Sequence, residues 1–304
     1  MEFGAVLPQI GWGPDNPFTL ELLERYVTTA RALGFTAITA NDHVVYKGPW
    51  IDGPTILAAS LPFADGMTLA TTIGLPVVRG PAVFAKTMAQ LDQLSGGRVI
   101  AGVSTGSSED DYTITGVPYH ERGKRLDEAI GVMRAMWRPG APAFHGEFYS
   151  TEGMWCDPPP ARAGGPPIWI GSWGSERAMR RVAELGDGWL ASAYNTTPKR
   201  FAKQLEMLNS RVVEAGRDPS TFGHALATTW MHGGGDGEAV LSLMAASTNR
   251  SIDDLRESLP IGTPSQVAEI VARYQDAGLQ RMFVWPVGND PVEQLQRFAD
   301  ATMS

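Results

Sequence analysis

Cysteine is almost absent. Cys156 is the only one in 304 residues, so no intrachain disulfide can form, which suits a reducing compartment. No stretch of eighteen apolar residues occurs, which argues against a membrane-spanning helix. The opening MEFGAVLPQIG has neither a basic segment nor a long apolar run and does not read as a signal peptide. Positive charge is in deficit, with 25 Lys and Arg against 33 Asp and Glu and a net charge of −8. Such a surface repels phosphate backbones, and no basic patch offsets it, so neither a nucleic-acid nor a membrane partner is expected. The five histidines (His43, His120, His145, His224 and His232) form no H-x-H or H-E-x-x-H arrangement, which speaks against a zinc site. No G-x-S-x-G elbow is present, which disfavours an α/β-hydrolase. These absences leave an acidic, cytoplasmic α/β protein.

What is present is a rhythm. Short apolar runs alternate with longer amphipathic segments from end to end. Phe3–Leu7, Phe35–Ala40, Thr68–Leu75, Val99–Val103, Pro167–Ile170, Trp189–Ser192, Phe222–Trp230 and Arg281–Trp285 read as eight strands. Helices are expected over Thr19–Leu33, Pro54–Phe63, Ala82–Leu94, Glu121–Trp137, Ser175–Leu185, Pro198–Ala215, Ala239–Glu257, Thr263–Ala277 and Pro291–Ala301. Thr263 is a cap with Pro264 at the first helical position. The proline-rich stretch 138–165 breaks the rhythm and reads as an excursion, with a small hairpin around Phe144 to Met154. Alternation resumes straight after it, so residues 1–304 are read as one domain.

Eight strands, nearly all followed by helices, point to a closed parallel (β/α)8 barrel. The competitor is an open doubly wound sheet, which usually carries a dinucleotide fingerprint after its first strand. Here that strand is followed by Gly11-Trp12-Gly13-Pro14, which lacks both the spacing and the immediate helix.

In a barrel the ends of the strands carry the chemistry. Asp42 and His43 directly follow the second strand and supply a charge and an imidazole that titrates near neutrality; a helix cap or a loop hydrogen-bonding pair would look the same. Their side chains need not touch, because neighbours on extended backbone point apart. The run Gly102 to Asp111 follows the fourth strand, and its small residues permit close backbone approach, as would any glycine-rich loop. Gly171-Ser172-Trp173-Gly174-Ser175 follows the fifth strand and opens a helix, where free N–H groups favour a phosphate. Ser175 as a simple cap is the alternative, and without a following Lys the run is no Walker loop. Nine tryptophans are many for this length, and several fall near strand ends, where they would wall a flat ligand or pack under loops.

Several of these motifs together resemble the bacterial-luciferase-like oxidoreductase superfamily, with the closest likeness to its F420-dependent branch. The likeness rests on the FGAVLP start, Gly34 to His43, Thr72-Ile73-Gly74-Leu75-Pro76 and the run Phe84-Ala85-Lys86 through Leu91 to Arg98. It continues through Glu121 to Arg125, Pro166 to Gly171, Gly186-Asp187-Gly188-Trp189 and Ile261 to Gly278, covering nearly the whole chain. It implies a barrel with an insertion after the helix ending near Trp137, and a flavin-like ring against the second to fourth strand ends. Asp42 and His43 would lie beside that ring, with His43 moving a proton and Asp42 orienting cofactor or substrate. Thr72, Ile73 and Gly74 would contact the cofactor, with a non-prolyl cis peptide at Thr72-Ile73, as would Ser104, Thr105 and Gly106. Gly171 to Ser175 would bind its phosphate. Homodimers through the N-terminal-half helices are also implied. The sequence departs from the family at Ser104, often glycine there, and at Ser107, often Trp or, in sugar-phosphate dehydrogenases, Glu; Glu109 is two positions away.

The leading expectation is hydride transfer with coenzyme F420 to or from a small, neutral or hydrophobic molecule. Alternatives are an FMN-dependent monooxygenase fed by a separate reductase, and a non-catalytic cofactor-binding protein on the same scaffold. The substrate pocket is expected to be walled by Trp12, Tyr46, Trp50, Tyr112 and Trp230, with Ser107 and Glu109 at its rim. Lys47 and Arg79 are the only near-rim cations found, too few to hold a sugar phosphate.

Overall fold

The computed structural model describes residues 1–13, 16–235 and 237–303. Its strands are β1 Glu2–Val6, β2 Ala37–Ala40, β3 Thr68–Thr71, β4 Val99–Val103, β5 Ile168–Ser172, β6 Gly188–Ser192, β7 Gly223–Gly233, β8 Ile261–Gly262 and β9 Arg281–Pro286. Each of β1 to β6 pairs in parallel with the next, β6 pairs with β7, β7 with β9, and β9 with β1. The ring of eight is therefore closed, which decides for the barrel against the open sheet. The two-residue β8 lies outside the ring, paired to the end of β7.

Alternation along the strands sorts side chains between two cores. Val6, Ala37, Ala70, Ile100, Trp169, Leu190, Ala225, Ala227, Phe283 and Trp285 form the interior of the barrel. Alanines there face the rings of Trp169, Phe283 and Trp285, so large and small side chains fill the cross-section together. The opposite faces pack under the helices in a second, larger core that includes Leu7, Ile38, Leu69, Ile168, Leu226, Met231, Met282 and Val284.

The helices follow local signals. Thr19 accepts from Leu22 N–H to start Leu20–Ala32, and Thr263 forms a reciprocal capping box with Gln266 before Pro264–Asp276. Three segments differ from expectation. The third strand stops at Thr71, and Pro76–Arg79 is a short helix. The region 239–257 is two helices, Glu238–Thr248 and Ile252–Ser258, separated at Asn249 with φ +55° and restarted by the Ser251 cap. Glu109–Thr115, expected as loop, is a helix. The 138–165 excursion holds an antiparallel bridge between His145 and Ser150. The Glu128 carboxylate accepts from three consecutive N–H groups there, Glu147, Phe148 and Tyr149, at 2.8, 2.8 and 3.1 Å. The buried Asp92 accepts from Arg162 N–H at 2.9 Å. The excursion is thus tied to the barrel helices at its middle and near its end. Among the described residues no helix is long and apolar enough to cross a membrane.

Candidate active site

The loop after β2 crosses the C-terminal mouth of the barrel. Gln9, fully buried, clamps its base: the amide nitrogen donates to Asn41 O and Ile51 O at 2.8 Å each, and the oxygen accepts from Asn41 N–H at 2.7 Å. Within that loop His43 Nδ1 lies 2.7 Å from Asp111 Oδ2. Asp111 is itself buried, and its other oxygen accepts from Val44 and Val45 N–H at 2.8 and 3.0 Å. A carboxylate can only accept, so the Nδ1 proton belongs to this contact and Nε2 is the nitrogen left for chemistry. Asp111 was not singled out from sequence. In Glu109-Asp110-Asp111-Tyr112 only Asp111 and Tyr112 are buried, so one acid of three turns inward, and the sequence carries no signal of which.

Asp42 takes a different place from the one expected. Its carboxylate is wholly shielded and accepts from Arg79 Nε at 2.7 Å, Arg79 Nη2 at 2.5 Å and Leu75 N–H at 3.1 Å. It has no surface to offer a ligand, so its contribution is to fix the backbone next to His43. Arg79 also pairs with Asp52, which caps the helix Gly53–Ser60 by accepting from Thr55 N–H at 2.9 Å. Burial works against the Arg79 charge, but the two carboxylates outweigh it and hold the guanidinium above its ordinary range. Burial likewise raises Asp52, yet hydrogen bonds from Thr55 and Arg79 hold it below the usual carboxylate value. Arg79 is therefore consumed within the loop's own support, and Lys47 is exposed.

The next three strand ends meet. The Thr72-Ile73 peptide is cis. The Thr72 hydroxyl is buried, 3.0 Å from both Thr39 Oγ1 and Asn41 Oδ1. Gly74 N–H donates to Gly102 O at 2.8 Å, Ser104 N–H to Gly74 O at 3.2 Å, and Ser104 Oγ to Gly171 O at 3.1 Å. A Cβ on Gly171 would come within 2.9 Å of Ile73 Cγ2 and 3.0 Å of Ser104 Cβ. Ile73, Ser104 and Gly171 thus abut across β3, β4 and β5 as one floor. Thr105 and Gly106 continue it, half-buried. Tyr112 departs from the pocket role: it is almost fully buried, its hydroxyl donates to Thr105 O, and its ring meets Tyr119 edge-on. Burial and loss of solvation make it pack and brace the 104–106 loop instead. Ser107 and Glu109 are exposed, and Ser107 O accepts from the Tyr119 hydroxyl at 3.2 Å.

Beyond β5, Ser172 is buried and accepts from Gly174 N–H at 3.0 Å. Gly174 has φ +85°, a conformation that side chains rarely adopt. Ser175 caps the helix Glu176–Leu185, accepting from Ala178 N–H at 3.4 Å. The N–H groups of Glu176 and Arg177 precede the helix's own ladder. The Glu176 carboxylate is engaged 2.6 Å from Arg211. Trp173 is 61% exposed beside them.

Aromatic rings form a continuous wall. Ring centroids lie 4.7 Å apart for His43 and Trp50, 4.6 Å for His43 and Tyr46, 5.6 Å for Trp50 and Trp285, 5.4 Å for Trp285 and Trp230, and 6.5 Å for Trp230 and Tyr194. Trp285 and Tyr194 escaped the sequence reading. Trp285 was legible in principle, two residues beyond the inward-facing Phe283. The Trp50 indole N–H is buried without an acceptor; that of Trp230 is buried too, near the Tyr194 hydroxyl but short of a formed hydrogen bond. Trp12 does not join the wall: its N–H donates to Pro8 O at 2.7 Å and its ring packs edge-on to Phe18, inside its own loop. Two cavities, of about 220 and about 400 Å³, open at the opposite end of the barrel, around His224 and around Arg281. Neither shares a residue with the floor or the wall.

Residues 1–247 match the family model described as luciferase-like monooxygenase. The chain belongs to the luciferase-like monooxygenase family. An uncharacterised protein of Mycobacterium bovis is 33% identical over 172 residues, 56% of this chain and 57% of the relative. The F420-dependent hydroxymycolic acid dehydrogenase of Mycobacterium tuberculosis is 32% identical over 216 residues, 68% of this chain and 58% of that protein. The matched stretches thus span little more than half the length of these curated relatives. A monooxygenase from Streptomyces bottropensis has the same fold, with a TM-score of 0.83 at 20% identity over 100% of this chain and 99% of the other.

The luciferase-like chain has the local chemistry for a phosphate-bearing planar cofactor. Backbone N–H donors stand at the start of Glu176–Leu185 with the neighbouring carboxylate already paired, which favours an anion. The Ile73–Ser104–Gly171 floor turns its one hydroxyl, that of Ser104, to Gly171 O and lacks a Cβ where the strands converge.

Proposed function

We propose that this protein is an F420-dependent oxidoreductase acting on a small, neutral or hydrophobic ketone or secondary alcohol. The observation that carries the reading is the His43–Asp111 pair beyond β2, with the His43 ring against Trp50 and the Ile73–Ser104–Gly171 floor at the ends of the strands that follow. The F420-dependent relative supports the cofactor assignment. F420, when bound, supplies or takes up a hydride. Gly171 to Ser175 would hold its phosphate through backbone N–H groups, and Ile73, Ser104, Thr105 and Gly106 would support its ring. The proton that accompanies the hydride is given to, or taken from, the substrate oxygen by His43 at Nε2. Asp111 keeps Nδ1 protonated and the ring in place. Trp50 and Trp285 exclude water from the reacting atoms.

Parallel titrations with F420 and FMN test the cofactor. Micromolar affinity for F420 is expected; micromolar affinity for FMN with none for F420 would overturn the assignment in favour of a reduced-flavin monooxygenase served by a separate reductase. The single cysteine and acidic surface support a cytoplasmic setting. A homodimer is part of the same reading: Val83 and Leu94, on one stripe of the helix Pro81–Ser95, are 64% and 72% exposed. Sedimentation of a monomer at micromolar concentration would remove the dimer.

A further inference from the structure

Strand β7 carries one residue more than its neighbour. Leu226 pairs with Met282 and Thr229 with Val284, so Ala227 and Thr228 together oppose Phe283 alone. Thr228 is the extra residue, with φ +53°, a left-handed conformation that a β-branched side chain strongly disfavours. Its hydroxyl lies 3.0 Å from Ser192 Oγ at the end of β6, and Ser192 Oγ in turn accepts from Asn195 Nδ2 at 3.2 Å. The bulge is thus pinned from the adjacent strand.

The consequence is a change of face. Side chains alternate along a strand, so inward-facing Ala225 and Ala227 would be followed by inward-facing Thr229 and Met231. One extra residue reverses the phase. Trp230 instead packs with the interior cluster beside Trp285, and Met231 is fully buried in the outer core with Leu226. Bulges next to active sites characteristically re-aim a side chain in this way. The side chain on this face brings a buried indole N–H that stands near the Tyr194 hydroxyl but short of a formed hydrogen bond. Buried donors without acceptors are rare in folded proteins, and at a ligand site the ligand's acceptor completes them.

We propose that Trp230, held on the interior face beyond the Thr228 bulge, is the specificity-determining residue of this site, and that its substrate is a flat, apolar ketone or secondary alcohol. That substrate carries a second hydrogen-bond acceptor on its body, remote from the oxygen that meets His43. The reacting oxygen belongs at the His43 and Trp50 end of the wall, and the second acceptor at the Trp230 end. This deepens the functional reading above and rests on it for the reacting oxygen. A tiny ketone would leave Trp285 and Trp230 uncovered and the Trp230 N–H unpaired. A flat ring system covers them and gains apolar burial as well as the hydrogen bond.

The test reads binding, not turnover, so it is independent of the F420 titration. Tryptophan fluorescence quenching gives dissociation constants for 6-methoxy-2-acetylnaphthalene, 2-acetylnaphthalene and acetone, with the cofactor that the protein binds present at saturation, or with the protein alone if it binds neither. Both naphthyl ketones are expected to bind far more tightly than acetone, and the methoxy compound about tenfold more tightly than its parent, the worth of one net hydrogen bond. Trp230→Phe keeps a ring and loses the N–H, and should bring the two naphthyl ketones within twofold while acetone is unchanged. Deletion of Thr228 removes the extra residue and leaves Thr229 opposite Val284 and Trp230 opposite Trp285, so a variant that folds should keep the preference for naphthyl ketones over acetone, and its loss would overturn the placement of Trp230; if the deletion fails to fold, Trp230→Phe still decides. Equal binding of the two naphthyl ketones by the wild-type protein, or a methoxy preference that survives in Trp230→Phe, overturns the proposal. Failure of F420 to bind would instead remove the oxidoreductase reading.

Discussion

Two histidines at opposite ends of the barrel have opposite surroundings. His43, after β2 at the C-terminal mouth, is half-exposed and meets a buried carboxylate through Nδ1. His224, at the start of β7, is buried; loss of solvation and the nearby Arg281 charge depress its pKa to about 4. A carboxylate partner at Nδ1 leaves the first imidazole with its second nitrogen free. Burial next to a cation keeps the second neutral, as part of the packing against Phe201. One residue type keeps a nitrogen free at one end and is packed away at the other, and the neighbours decide which.

The sharpest way to break this contrast is His43→Ala. Loss of a positioned proton-transfer group lowers turnover by about 10²–10⁴-fold, while the dissociation constant for the cofactor should change less than threefold because the floor and phosphate loop are untouched. Steady-state kinetics beside a cofactor titration checks both. Unchanged turnover on a proven substrate would take His43 out of the mechanism. The next largest effect is expected from Asp111→Asn. The amide occupies the same space but removes the charge and turns one acceptor into a donor. Turnover should fall by about 10–100-fold, the KM for substrate should move little, and the 43–45 loop should become more susceptible to proteolysis as Val44 and Val45 N–H lose a partner. A variant with a tighter loop and wild-type turnover would show that Asp111 does nothing for His43. Arg79→Met comes below these, since it acts at one remove. It leaves Asp42 buried without its cation, so a stability loss of about 3 kcal/mol is expected by urea denaturation.

Much of this was legible without coordinates, for identifiable reasons. His43 at a strand end and Ser175 at a helix start are local facts, set by patterns within ten residues. What escaped depended on pairings across the closed ring. Asp111 meets His43 from 68 residues away, and Asp42 is shielded by an arginine arriving from beyond β3. Both contacts exist only because the barrel brings β2, β3 and β4 side by side. The Thr228 bulge escaped for a different reason: a one-residue slip leaves composition and hydrophobicity intact and alters only which face each residue takes. Trp12 was misplaced because an aromatic near a strand end looks the same whether it faces a ligand or a carbonyl of its own loop.

The smallest expected effect concerns the other histidine and separates the two ends of the barrel cleanly. In the unfolded chain an imidazole titrates near 6.5, whereas His224 in the fold does so at about 4. The unfolded state therefore binds the proton first as pH falls, and the fold loses stability across the window from about 6.5 down to about 4. Above that window both states are neutral and the group contributes no pH dependence. Between pH 7.5 and pH 5.5 the loss is about 1 kcal/mol, since each pH unit below the unfolded pKa costs about 1.4 kcal/mol while the folded group stays neutral. His224→Phe keeps an aromatic ring against Phe201 but cannot take a proton. Its unfolding free energy in urea should be about 1 kcal/mol less sensitive to that pH change than the wild-type value. Catalytic turnover at pH 7.5 should be unchanged, because the ring lies at the far end of the barrel from His43. Should the variant keep the full acid sensitivity, the charge that destabilises the fold in this range sits elsewhere. Should turnover fall without a loss of folded protein, the two ends of the barrel are coupled and the division between a catalytic and a structural histidine fails.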